Sequence, residues 1–150
     1  MQKTHEYSYR DNEMKKIWTV LIILTVVFIF LQSIVPENKS AIESVWVTEQ
    51  LVNPLFSIIG KAFKFDFVRK VAHVIEFFVL TVFIYVLLKR PVRVFYASFT
   101  ISFLDESLQI LTKRGALISD VWIDLIGIVF GVIICFLYFR HSLRKKSKIN

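Results

Sequence analysis

The chain has 150 residues, of which 55% are hydrophobic, and a formal net charge of +7. This length suits one domain, but the composition is far too apolar for an ordinary soluble domain, so we expect a protein of the lipid bilayer. The basic residues cluster at the ends of apolar segments and form no stripe on a soluble face. This pattern excludes nucleic acid as the expected partner and favours a membrane surface.

Four apolar segments are long enough, or nearly so, for helices that cross the bilayer, since a span needs roughly 20 mostly apolar residues. They cover residues 17–35, 71–88, 94–111 and 121–139. The expected fold class is therefore all-α, an integral membrane bundle of four transmembrane helices. An interfacial helical segment is expected between the first and second spans.

The first apolar segment follows basic residues, as the apolar part of a signal peptide does. It reaches 19 residues, lacks a small-residue cleavage site and ends at Gln32 to Pro36, so we interpret it as a retained first span. The single cysteine, Cys135, lies in the fourth segment. An intramolecular disulfide is therefore excluded, and a packed thiol is expected.

The connection between the first two spans has about 35 residues and carries helix signals. Ser40 and Glu43 form a capping box, and Asn53-Pro54 is a second helix start. Apolar residues then recur at helical spacing: Val52, Leu55, Phe56, Ile59 and Phe63. Two placements stay open: along the outer membrane surface, or packed over the mouth of the bundle.

The Lys and Arg residues predict the orientation. Twelve of the 19 lie in residues 1–16, in the turn around Arg90 and in the tail, and seven lie in the other two connections. The positive-inside rule then places both termini in the cytoplasm. We expect a cytoplasmic N-terminal segment at 1–16, a membrane domain at 17–139 and a basic cytoplasmic tail at 140–150.

Polar residues lie on defined faces of the second and third spans. His73 and Glu76 are three residues apart, which places them on one helical face together with Arg69. Glu106 lies beside a polar stripe on the third span. The stripe follows steps of four, three and four: Ser98, Ser102, Asp105 and Gln109.

The fourth span repeats the same steps through Asp120, Asp124, Gly127 and Gly131. The two glycines form a small-residue surface on which another helix can pack closely. The acidic residues of all three spans lie roughly 5 to 9 Å inside the ends predicted to be external. We therefore expect one polar pocket in the outer leaflet, over which Arg114 can fold back.

Charged groups in hydrocarbon cost at least a few kcal/mol each, so they persist where they are paired, hydrated or functional. One interpretation is a structural latch in which His73, Arg69 and Arg114 neutralise the acids. The other is a site for a ligand, an ion or a chemical step. The acids outnumber what a latch requires, which favours the site.

Taken in order, the motifs resemble those of the VanZ-like integral membrane proteins over residues 66–138. They are K-x2-H-x2-E at Lys70, His73 and Glu76; D-E-x2-Q at Asp105, Glu106 and Gln109; Arg114; and D-V-x2-D-x2-G-x3-G at Asp120, Val121, Asp124, Gly127 and Gly131. Thr112-Lys113 stands where the family often has Pro-Gly before the arginine. The resemblance implies a small bacterial membrane protein of a family named after a member linked to teicoplanin resistance.

Two functions follow from the residues and the resemblance. In the first, a cell-envelope protein binds a membrane lipid or lipid-linked envelope component and alters the access of glycopeptides to their target. In the second, a membrane enzyme acts on a lipid-linked phosphate or sugar, with Glu106 or Asp124 as base, His73 as acid or metal ligand and Arg114 as anion clamp. The binding pocket expected in both cases has these members: Lys70, His73, Glu76, Asp105, Glu106, Gln109, Arg114, Asp120 and Asp124.

No cofactor is expected, and a homo-oligomer is an open alternative. A divalent cation is the alternative that the carboxylates leave open. One imidazole among hard oxygen ligands favours magnesium, manganese or calcium over zinc.

Overall fold

In the computed structural model, the chain is built from α-helices, which confirms the all-α prediction. The structure describes residues 2–35, 42, 45–56, 64–112 and 120–147. Within them, α1 covers Gln2–Ile34, α2 Asn53–Phe56, α3 Phe65–Leu88, α4 Pro91–Leu111 and α5 Asp120–Ser147. A π-helix, Thr48–Val52, directly precedes α2.

Three helices in the described part of the chain are long and apolar enough to cross a membrane. These candidate spans are Asn12–Ile34, Phe67–Leu88 and Asp120–Ser142. They correspond to the first, second and fourth predicted spans. The third predicted span corresponds to α4, whose hydropathy is lowered by polar residues such as Asp105, Glu106 and Gln109.

The four long helices pack around a common interior. α3 makes its most extensive contact with α5 and also contacts α1 and α4, while α4 contacts α1 and α5 as well. The apolar part of the interior comprises Ile29, Phe77, Leu80, Ile84, Tyr85, Val94, Ile128 and Cys135. Burial of Cys135 agrees with the packed thiol expected from the sequence.

A tight turn makes α3 and α4 antiparallel. Lys89 ends α3 in the left-handed conformation, with φ 52°, and its amide donates to the carbonyl oxygen of Tyr85. Pro91 then occupies the first turn of α4, where its fixed φ suits a helix and its missing N–H costs nothing. The C-terminal half of α4 therefore returns to the end of the bundle at which α3 begins.

α3 and α5 approach each other closely at the two glycines. A Cβ atom added to Gly127 would overlap the carbonyl oxygen of Val74 in α3. One added to Gly131 would lie 2.9 Å from Cβ of Thr81. The small-residue surface predicted on the fourth span thus faces α3, and the absence of side chains there permits the contact.

α4 is polar on its inner face and apolar on its outer face. Its buried side chains include the predicted stripe: Val94, Ser98, Ser102, Asp105, Glu106 and Gln109. Its exposed apolar side chains are Val92, Tyr96, Phe103, Leu104, Ile110 and Leu111. A helix in water would have the opposite distribution, so this surface suits contact with lipid.

Helical backbone in the connection after α1 is continuous from residue 45 to residue 56. Asn53 begins α2, but it and Val47 both have α-helical angles, so the π-helix and α2 form one element. Ile42 and Trp46 are 70% and 58% exposed, which suits a membrane surface. The predicted capping box at Ser40 and Glu43 lies outside the described residues.

Candidate functional site

Three helices bring His73, Asp105 and Asp124 together at one end of the bundle. Each offers one ligand atom, and these atoms all lie within 4.8 Å of one another. His73 and Asp124 are about 9 and 6 Å along their helices from Phe67 and Asp120, where the candidate spans begin. Asp105 lies about 9 Å before the end of α4. The three side chains therefore lie at similar depths.

Asp105 is fully buried and links two helices. The hydroxyl of Ser33, in α1, donates to its Oδ1. One turn further along α4, Nε2 of Gln109 donates to its Oδ2 over 2.8 Å. Both carboxylate oxygens are therefore oriented by neighbouring donors.

Asp124 is oriented in a similar way. The hydroxyl of Ser102, in α4, donates to its Oδ2 over 2.8 Å. Its Oδ1 lies 3.6 Å from Nδ1 of His73, within ion-pair range when the imidazole is protonated. Asp124 is 2% exposed and His73 is 21% exposed, so the histidine connects the buried carboxylate with the surface.

A small pocket opens beside His73 at this end of the bundle. Its lining comprises Arg69, Lys70, His73, Gln109, Asp120 and Ile123. Arg69, Lys70 and Asp120 lie at the first turns of two candidate spans, so we refer to them as the mouth of the site. The predicted residues Lys70 and Asp120 thus line the same pocket as His73.

The remaining predicted residues are Glu106, Glu76 and Arg114. Glu106 is buried in α4, 3% exposed, and close enough to Asp124 to act on it electrostatically. Glu76 borders a groove between α1 and α3, where it accepts a hydrogen bond of 2.9 Å from Nε2 of Gln32. Like Glu106, it lies close enough to Asp124 to act on it electrostatically. Arg114 lies outside the described residues. The assignment of the whole set as a ligand-binding pocket stays a prediction.

Sequence reasoning missed the contribution of α1. Ser33 donates to Asp105, and its backbone oxygen accepts a hydrogen bond from the hydroxyl of Thr112 over 3.0 Å. The available signal was the pair Gln32-Ser33, two polar residues at the end of an apolar run. Because both lie outside residues 66–138, the family motifs did not point to them.

The site is rich in acids relative to its cations. Asp105, Glu106 and Asp124 are buried together, and ionised carboxylates at this spacing repel one another. Protons, the imidazolium of His73 or a bound cation can compensate for that repulsion. One imidazole and two carboxylates could hold magnesium, manganese or calcium, and the pair His73–Asp124 could also transfer a proton.

The three candidate spans, together with the buried carboxylates at one end of the bundle, identify the chain as a multi-pass helical membrane protein. The chain belongs to the VanZ/LLP1 family, whose model matches residues 18–139. The match confirms the resemblance and extends it to α1, which carries Ser33. Searches of curated proteins and of solved structures gave no match.

Proposed function

We propose that the protein is a bacterial cell-envelope membrane protein whose interior site binds a membrane lipid or a lipid-linked envelope component. In this way it would contribute to tolerance of teicoplanin-type glycopeptides. Membership of the VanZ/LLP1 family carries the proposal. The carboxylate site, with a mouth at the end of the bundle, supports it because such a site is costly in a membrane unless it is used.

Within this proposal α4 is the fourth span, and both termini are cytoplasmic. The apolar outer face of α4 supports a position in the bilayer, and its 21 residues extend about 31 Å, enough to cross the hydrocarbon. The basic turn and tail support the orientation. The site then opens to the outer leaflet, where lipid-linked envelope components are accessible.

Cysteine labelling in intact cells tests the orientation. In a background with Cys135 replaced by Ser, a cysteine at Lys39 is expected to react with a membrane-impermeant maleimide, whereas one at Arg90 reacts only after permeabilisation. Arg90 is exposed in the short turn between α3 and α4, so access to it is limited by the membrane alone. The reverse pattern would move the site to the inner leaflet and contradict the proposal.

Deletion and complementation test the function. We expect the deletion strain to become more sensitive to teicoplanin and to change its envelope lipid profile, and the wild-type gene to restore both. The minimum inhibitory concentration and lipid mass spectrometry are the measurements. An unchanged sensitivity with an unchanged lipid profile would contradict the proposal.

A second candidate function, an enzyme acting on a lipid-linked phosphate or sugar, is favoured by one observation. His73 lies between the mouth and Asp124, at 3.6 Å from the carboxylate, in the position of an acid–base group oriented by an acid. A divalent cation on His73, Asp105 and Asp124 belongs to this candidate. Chemical turnover of a lipid-linked substrate by purified protein, lost in His73→Gln, would distinguish it from binding alone.

A further inference from the structure

We propose that Arg69 and Lys70 form an anion-binding pair that takes the phosphate group of a membrane lipid at the mouth of the site. The inference rests on the proposed function, because it names the class of ligand for the same site. The expectation from the sequence that Arg114 is the anion clamp stays a prediction, because Arg114 lies outside the described residues.

The first support is that both cations have charge available for a ligand. Among the acidic side chains that the structure describes, none lies at ion-pair distance from Arg69 or Lys70. Lys16, by contrast, pairs with Glu13 at 2.8 Å. Two adjacent cations that border one pocket without neutralising partners favour an incoming anion.

The second support is the charge balance at the mouth. Among the described residues that line the pocket, Asp120 is acidic, and Arg69 and Lys70 are cationic. The three described residues of the mouth therefore have a net positive charge, whereas Asp105 and Asp124 lie deeper. His73 stands between these two layers and separates an anion at the mouth from the carboxylates below.

The third support is the depth of the two cations along the candidate span. Arg69 and Lys70 follow Phe67, where the candidate span begins, by two and three residues, or about 3 to 5 Å. This level is that of the lipid headgroups when the span crosses the bilayer. The guanidinium group offers several N–H donors in a planar arrangement that matches phosphate oxygens, and the ammonium group adds a second charge. A phosphate on a lipid anchored beside the bundle fits this position.

The test uses the full chain in dodecyl maltoside with dioctanoyl phosphatidic acid as the probe. Affinity is measured by microscale thermophoresis and thermal stabilisation by scanning fluorimetry. Dioctanoylglycerol, the same lipid without the phosphate, is expected to bind at least about tenfold more weakly, because it cannot accept charged hydrogen bonds from Arg69 and Lys70. Equal binding of the two lipids would overturn the inference.

The matched variants test whether lipid binding depends on Arg69 and Lys70 themselves or on the overall positive charge of the protein. Arg69→Gln with Lys70→Gln is expected to weaken binding of phosphatidic acid by at least about tenfold. The exchange variant Arg69→Lys with Lys70→Arg retains it. Lys89→Gln with Arg93→Gln, which removes two exposed cations at the opposite end, is expected to leave the affinity unchanged. Undiminished binding in the first variant, or equal loss in the last, contradicts the inference.

Competition by inorganic phosphate shows whether the ligand is a lipid phosphate or a free anion. It is expected to compete only at concentrations far above that of phosphatidic acid; competition at similar concentrations would overturn the assignment to a lipid. The outcomes also separate this inference from the proposed function. Phosphatidic acid binding with no deletion phenotype refutes the function alone. The inference alone is refuted if the wild type does not bind phosphatidic acid and the variant Arg69→Gln with Lys70→Gln fully complements the deletion.

Discussion

Replacing Gly127 by alanine is expected to destabilise the folded protein by about 3 kcal/mol, near the upper end of the usual cost of overpacking. The added methyl group would overlap the carbonyl oxygen of Val74, which belongs to the backbone of α3 and cannot rotate away. Relief therefore requires α3 and α5, the most extensively packed pair of helices, to separate. Thermal unfolding in detergent, followed by circular dichroism, measures the loss.

Gly131→Ala is the matched control, one helical turn further along α5. Its new methyl group would lie 2.9 Å from side-chain atoms of Thr81 and 3.3 Å from the backbone oxygen of Phe78. The principal neighbour is thus a side chain, and we expect a smaller loss, about 1 kcal/mol. Equal stability of Gly127→Ala and the wild type would show that α3 and α5 do not approach as closely as described.

Helical periodicity predicted the inward face of α4 because a 3.6-residue repeat determines which side chains share a face. Ser98, Ser102, Asp105 and Gln109 were assigned to one stripe from their spacing, and all four are buried. The same reasoning did not identify Gln32 as a partner of Glu76. A helix with neighbours on two sides can direct residues of one broad face to different partners, and Glu76 contacts Gln32 while His73 approaches Asp124.

The link between Ser33 and Asp105 could not be predicted from local pattern. The two residues are 72 positions apart, and their contact depends on how α1 packs against α4. Hydrophobic periodicity identifies the buried side of each helix but does not select the neighbouring helix. The close contact between α3 and α5 leaves a signal in the sequence, because the glycines at positions 127 and 131 indicate where another helix can approach α5.

Asp124→Asn is expected to abolish complementation while the protein still inserts and folds. The amide keeps the shape of the side chain and an acceptor for Ser102 but cannot ionise among the other buried acids. An ionised Asp124 is repelled by Asp105 and Glu106 and a neutral amide is not, so thermal stability in detergent should equal or exceed that of the wild type. Ser98→Ala, which removes a buried hydroxyl bonded to Thr81 outside the cluster, is the control. It should retain complementation and lose about 1 kcal/mol of stability.

The double variant His73→Gln with Asp124→Asn then separates a working site from a structural latch. In a latch, the two side chains serve only to neutralise each other. Removing one partner should cost about 3 to 5 kcal/mol, and removing both should restore stability and complementation together. In a working site, the carboxylate of Asp124 is itself required, so the double variant stays inactive however stable it is. Recovery of complementation in the double variant would show that the pair His73–Asp124 is structural and would contradict its assignment to the functional site.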